Sequence, residues 1–183
     1  MIIGITGTDG AGKGTAVNYL KTKGFTHYSS RDFIVAEIER QGLPVNRNQM
    51  RLTANELRAK HGNEFVVKRA FEQARADGVE HAVIESIRAL AEAEYLKQHG
   101  GILLAIDADP KLRYERVQGR RSATDQVSYQ QFLEHEELEK NDPDPHGMQK
   151  AAVMTIADHT IYNNETPAAL ATALERFLAT YRT

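Results

Sequence analysis

The segment Met1-Ile2-Ile3-Gly4-Ile5-Thr6-Gly7-Thr8-Asp9-Gly10-Ala11-Gly12-Lys13-Gly14-Thr15 decides the fold. Residues 2–6 form a short apolar run of the kind that makes a buried strand, and the apolar spacing of Ala16, Val17 and Leu20 behind the loop is helical. Between them the spacing is Gly7-x-x-x-x-Gly12-Lys13, a strand–loop–helix unit suited to phosphate. Glycines let the main chain approach an anion without a Cβ in the way, and successive N–H groups of such a loop converge on it. The following helix adds its positive end, and the Lys13 ammonium adds a full charge. The candidate phosphate-binding set is Gly7, Thr8, Asp9, Gly10, Ala11, Gly12, Lys13, Gly14 and Thr15, with the Thr15 hydroxyl available to phosphate or to Mg²⁺. Asp9 has two readings, since a carboxylate beside phosphates is unfavourable without a partner. It reads an acceptor, or it is a turn residue whose side chain bonds the loop backbone.

Further β-type runs follow at 25–29 (weak), 82–85, 102–107 and 160–162, separated by helical stretches that end at Gly24, Gly42, Gly78 and Gly100-Gly101. Strands alternating with helices imply a parallel sheet covered on both faces. The fold class expected is a three-layer α/β/α domain with a five-stranded parallel sheet, one domain over residues 1–183. Residues 32–75 hold more helix than one crossover needs, and 119–150 are polar and broken by Pro143 and Pro145. Both read as insertions at the strand C-terminal ends, where such sheets bind ligands: an acceptor-binding insertion and a lid. Within the second, residues 128–138 read as an amphipathic helix closing onto the body through Phe132, Leu133 and Leu138. His135, Glu136, Asp142, Asp144 and His146 lack regular ligand spacing and read as a solvated acidic surface rather than a metal cluster.

Composition removes several classes. A net charge of −2 argues against a dedicated nucleic-acid binder, which needs a cationic surface. There are no cysteines, hence no disulfide or thiolate chemistry, and the apolar runs of about five residues fall far short of a membrane span. The N-terminus has no basic region of a signal peptide, so a cytoplasmic location is expected. Oligomeric state is not legible.

Lys13-Gly14-Thr15, with glycine after the lysine, resembles the P-loop of adenylate kinases, and Asp9-Gly10-Ala11-Gly12-Lys13 resembles that of thymidylate kinases. Ala82-Val83-Ile84-Glu85-Ser86-Ile87-Arg88 resembles the strand-end segment of nucleoside monophosphate kinases, and Arg116-x-x-x-Arg120 resembles their lid helix. With Gly42-Leu43-Pro44, Glu56-Leu57-Arg58 and Lys68-Arg69, nearly the whole chain resembles an archaeal and bacterial kinase-like P-loop family likened to dephospho-coenzyme A kinase. Residues 157–164 also resemble the last strand of that enzyme. The resemblance implies ATP and Mg²⁺ as cofactors and transfer of the γ-phosphate to a (deoxy)nucleoside monophosphate. Dephospho-coenzyme A is the alternative acceptor, and a non-kinase ATP-binding switch or assembly factor a further reading. It further implies that Thr15 and Glu85 serve Mg²⁺, Arg88 grips the acceptor, Arg116 and Arg120 meet adenine and the transferring phosphates, and Asn163 borders the adenine. Asp9 would contact the acceptor sugar, and Asp32 would open the acceptor-binding helix. The family's acceptor-binding arginine falls at Val35 here, so Arg31, Arg51 or Arg58 takes the phosphate, or the acceptor is presented differently; Arg58 is carried as the candidate.

Overall fold

The computed structural model describes residues 1–119 and 127–181. Its strands are β1 (Ile2–Gly7), β2 (Thr26–Ser29), β3 (Ala82–Glu85), β4 (Ile102–Asp107) and β5 (His159–Tyr162). All are parallel and ordered β2-β3-β1-β4-β5. Among the described residues the helices are α1 (Lys13–Thr22), α2 (Ser30–Arg40), α3 (Arg47–His61), α4 (Phe65–Ala76), α5 (Leu90–Gln98), α6 (Pro110–Gly119), α7 (Tyr129–Lys140), α8 (Lys150–Thr155) and α9 (Pro167–Tyr181). This is the three-layer α/β/α arrangement with a five-stranded parallel sheet. No helix among the described residues is long and apolar enough to cross a membrane.

Strand alternation divides the core into two faces. Ile3, Ile5, Val83, Leu104 and Ile106 pack with α1 and α9, through Leu20, Leu174 and Phe177. Ile84 and Leu103 turn the other way, to Phe71 of α4 and Leu96 of α5. Gly4 is a glycine for a packing reason: a Cβ there would collide with Ile87 and Leu96. With β1 central, the loop that follows it emerges between the ends of β3 and β4.

Three helices, α2 to α4, lie between β2 and β3. Ser29 caps α2 by accepting from the Asp32 N–H at 3.0 Å, and Asn46 caps α3 by accepting from Gln49 N–H at 2.9 Å. From α3 a row of polar contacts reaches the 139–146 segment: Arg51 to Asp142 (3.1 Å), Asn55 to Asp144 (2.8 Å) and Arg58 to the His146 carbonyl (3.2 Å). The expected solvated acidic surface is therefore corrected. Glu136 and Asp142 are buried, each matched by an arginine of another element. The helix 128–138 also differs from expectation: Phe132 is buried, but Leu138 is exposed, and α7 turns Glu136 and Glu139 inward. Arginines on the opposing elements make those acids the buried face.

The Arg58–Glu92 pair ties these layers together. Both side chains are almost wholly buried, with Nε and Nη2 at 2.9 and 2.8 Å from Oε1. The other carboxylate oxygen accepts the N–H groups of Arg88 and Ala89, both at 3.0 Å, at the start of α5. Removing Glu92 strands the buried Arg58 charge and frees two backbone donors. Glu92→Ala is expected to cost about 3–5 kcal/mol in urea unfolding; a loss below about 1 kcal/mol would show that the pair does not organise the fold.

Candidate functional site

The glycines of the loop after β1 are held in conformations that L side chains avoid: φ is 133° at Gly7, 79° at Gly10 and 104° at Gly12. A Cβ at these positions would strike Ile106 backbone, Arg113 backbone and the Asn163 amide, while Gly14 faces open space. The loop is braced from the ends of two strands. Thr8 Oγ1 donates to Asp107 Oδ1 at 2.6 Å, and Asn163 Nδ2 donates to the Ala11 carbonyl at 2.8 Å. Lys13 Nζ lies across the loop, donating to the carbonyls of Gly7 (3.0 Å) and Thr8 (2.6 Å). The loop thus presents a lysine and open backbone at the N-terminus of α1, an anion cradle.

Asp9 is enclosed by cations. Arg47 of α3 donates to its Oδ2 at 2.8 Å, and Lys150 and Lys13 lie 3.5 and 3.7 Å from Oδ1. A second carboxylate, Glu139 of α7, shares two of these partners, Arg47 at 2.6 Å and Lys150 at 2.7 Å. Burial pushes the Asp9 carboxyl up, but Lys150, Lys13, Arg88 and Arg47 outweigh it and hold Asp9 well below the usual carboxylate range. Glu139 is also lowered: burial and Asp9 oppose ionisation, and Lys150, Arg88 and Arg47 prevail. Burial, reinforced by Lys150 and Arg88, brings Lys13 down to about 8 against the pull of Asp9 and Glu139. Asp9 is therefore an ionised group in a cation cluster, and its side-chain contacts run to Arg47, Lys150 and Lys13.

The sequence-derived candidates occupy distinct places. Thr15 is exposed in the first turn of α1. Glu85 ends β3, with His27 Nε2 3.6 Å from its carboxylate. Arg116 of α6 donates to the carbonyls of Asn163 (2.9 Å) and Glu165 (3.4 Å), joining α6 to the loop behind Asn163. Asp32 is exposed in the first turn of α2, and Arg58 is buried against Glu92. Arg120 lies outside the described residues. Arg47, Lys150, Glu139, Arg113 and Asp107 are site residues beyond the sequence-derived set. Arg113 is buried, bonds the carbonyls of Ala108 (2.8 Å) and Asp9 (3.2 Å), and pairs with Glu136. Its spacing of three from Arg116 was the available signal.

Beside the loop is a cavity of about 460 Å³. It is walled by Ile34, Met50, Val66 and Met148 and carries Arg31, Arg47, Arg51, Arg58 and Arg88. Arg47 and Glu139 belong to both the cavity and the Asp9 cluster, so the two spaces adjoin.

Fold and loop together define a P-loop protein of the kinase-like class. The family model described as an AAA domain, AAA_18, matches residues 3–142. A UPF0200 protein of Methanococcus vannielii is 33% identical over 169 residues, 90% of this chain and 87% of its own length. The chain belongs to the AAA_18 family and to the UPF0200 proteins. Among solved structures it is similar to TT1252 from Thermus thermophilus, with a TM-score of 0.66 and 22% identity, covering 100% of this chain and 98% of that one. It is also similar to shikimate kinase from Acinetobacter baumannii in complex with shikimate, with a TM-score of 0.58 and 19% identity, covering 99% and 94%. At these identities the shared property is the fold.

The lowered Lys13 has a measurable consequence. Near pH 8.5 the lysine is largely neutral, and an anion in the loop restores its proton. Binding of sulfate, an anion that does not itself titrate in this range, is expected at pH 8.5 to take up about half a proton or more through Lys13, and Lys13 should contribute none at pH 6.5. Calorimetry in buffers of different ionisation enthalpy reads this, and no uptake at pH 8.5 would contradict the arrangement. The linkage sign is fixed too: between about 8 and 10.5 the unfolded chain binds more protons, so this lysine's contribution to stability rises with pH.

Proposed function

We propose that the protein is an ATP-dependent phosphotransferase that moves the γ-phosphate of Mg·ATP to a (deoxy)nucleoside monophosphate. The observation that carries this reading is the junction between the two spaces. An arginine-bearing cavity with apolar walls adjoins the phosphate loop, and Asp9, Arg47 and Glu139 form the border. A donor site and an acceptor site in contact are what direct phosphoryl transfer requires.

The residues present fit ATP and its metal. Half-buried Lys13, crowded by Lys150 and Arg88, is short of anionic charge, and the loop glycines leave room for phosphate oxygens. Thr15 and Glu85 would hold Mg²⁺, which when bound supplies charge neutralisation on the phosphates. Lys13 and the loop N–H groups bind the donor phosphates. Arg116 and Asn163, joined behind the loop, border the space for the adenine. Arg88 orients the acceptor's anionic group, and Asp9, kept ionised, accepts a hydrogen bond from the acceptor sugar. The polar contacts between α3 and the 139–146 segment close one side of the cavity. No enzyme nucleophile is needed. The acceptor oxygen forms the new bond to phosphorus as the bond to the leaving ADP oxygen breaks. The proposed setting is the cytoplasm, with small nucleotides rather than nucleic acid as partners.

A coupled ADP-release screen over all ribo- and deoxynucleoside monophosphates, with dephospho-coenzyme A as a further arm, tests the reading. ADP release should depend on a nucleoside monophosphate and fall ~10²-fold or more in Lys13→Ala. Release with dephospho-coenzyme A alone would move the assignment to that acceptor. Release indifferent to every acceptor would leave an ATP-binding switch.

A further inference from the structure

We propose that Ser86 is a specificity-determining residue of the cavity, and that its hydroxyl hydrogen-bonds an uncharged polar group on the base of the bound nucleotide. The inference rests on the phosphotransferase reading for the identity of that nucleotide as the acceptor.

A backbone conformation that the residue type does not favour carries the argument. Among the described residues Ser86 is the one non-glycine with positive φ, at 69°, whereas eight glycines occupy the other positive-φ positions. A Cβ at positive φ crowds the neighbouring carbonyl oxygen, a cost that glycine avoids and that asparagine or aspartate offsets by local hydrogen bonds. Ser86 gains no such compensation. Among the described residues its hydroxyl has no hydrogen-bond partner, and the hydroxyl is accessible rather than buried.

The turn is imposed from both sides. Glu85 is held in β3, in register with Ile5 of β1. The Ile87 N–H donates to the Ile5 carbonyl at 3.2 Å, and the Ile87 carbonyl accepts from Thr6 Oγ1 at 2.9 Å. One residue on, the Arg88 carbonyl accepts from the Gln149 N–H at 2.8 Å. With its neighbours pinned, residue 86 must take the strained form. Glycine would meet that requirement without strain. Serine adds strain and a hydroxyl that no part of the fold uses.

The place of the hydroxyl selects what it serves. Ser86 lines the cavity, whose walls include Val66, Met50 and Met148. A hydroxyl supplies one donor and two acceptor lone pairs without a charge. Apolar walls with a few placed polar groups suit a planar, uncharged body that packs by its faces and is read at its edge. Charged groups of the ligand fall to the arginines of the same cavity, which leaves the neutral edge to Ser86.

Ser86→Gly is the informative variant, because glycine keeps the turn and removes only the hydroxyl. Ser86→Ala removes the hydroxyl and keeps the Cβ. Calorimetric titration with AMP, GMP, CMP, UMP and their deoxy counterparts reads binding without turnover. The nucleotide that wild type binds best should lose ~5–10-fold in affinity in both variants, and those it binds worst should change less than ~2-fold, so the ranking flattens. Ser86→Gly should also melt about 2 °C or more above Ser86→Ala. Wild-type affinities retained in Ser86→Gly, an equal loss for every base, or binding of no mononucleotide at all would overturn the proposal. A reversed melting order would remove the strain on which it stands. Coupled ADP release separates this role from the reaction. A base preference that depends on Ser86 in a protein that phosphorylates no nucleoside monophosphate would leave Ser86 as the reading residue and remove the phosphotransferase reading. Turnover with a base preference unmoved in Ser86→Gly would remove the role of Ser86 and leave the reaction.

Discussion

A carboxylate inside a phosphate-binding loop is an electrostatic problem, and the rest of the site is arranged around its solution. Asp9 would repel the anions that the loop is shaped to hold. Cations from three directions enclose it: Lys13 from its own loop, Arg47 from α3 and Lys150 from α8. Glu139 keeps two of those cations from becoming an excess, and it brings α7 into the same cluster. Three elements distant in sequence, α3, α7 and α8, are thereby fixed relative to one loop. The cavity beside it is bounded by two of these elements, α3 and α7, together with α2, α4 and the segment after β3.

The strands, the loop and the helix-ending glycines were legible in the sequence because each is a local signal. Apolar runs such as 102–107 and positive-φ glycines such as Gly24 and Gly78 need no knowledge of distant residues. Glu136, Glu139 and Asp142 were not legible. On a helix or loop a carboxylate reads as solvated, and only the fold brings Arg113, Arg47 and Arg51 against these three. Lys150 was missed for the same reason, since its partners Asp9 and Glu139 lie in separate elements. Asp9 was flagged from elementary electrostatics, and the structure supplies the cationic partners that such a group requires.

The arginines divide into two kinds that sequence alone does not separate. Arg58 and Arg113 are buried and organise carbonyls and carboxylates of the scaffold. Arg31 and Arg88 line the cavity without a hydrogen bond to a carboxylate, and Glu139, which lines it too, feels the charge of Arg88. The distinction follows from where the acids fold, not from arginine spacing.

Asp9 and Arg47 couple the phosphate loop to α3. A double-mutant cycle measures this coupling directly: unfolding free energies of wild type, Asp9→Asn, Arg47→Ala and the double variant. The two single losses together should exceed the loss in the double variant by about 1 kcal/mol or more. Additivity within about 0.3–0.5 kcal/mol would contradict it and leave Asp9 as a residue of the loop alone.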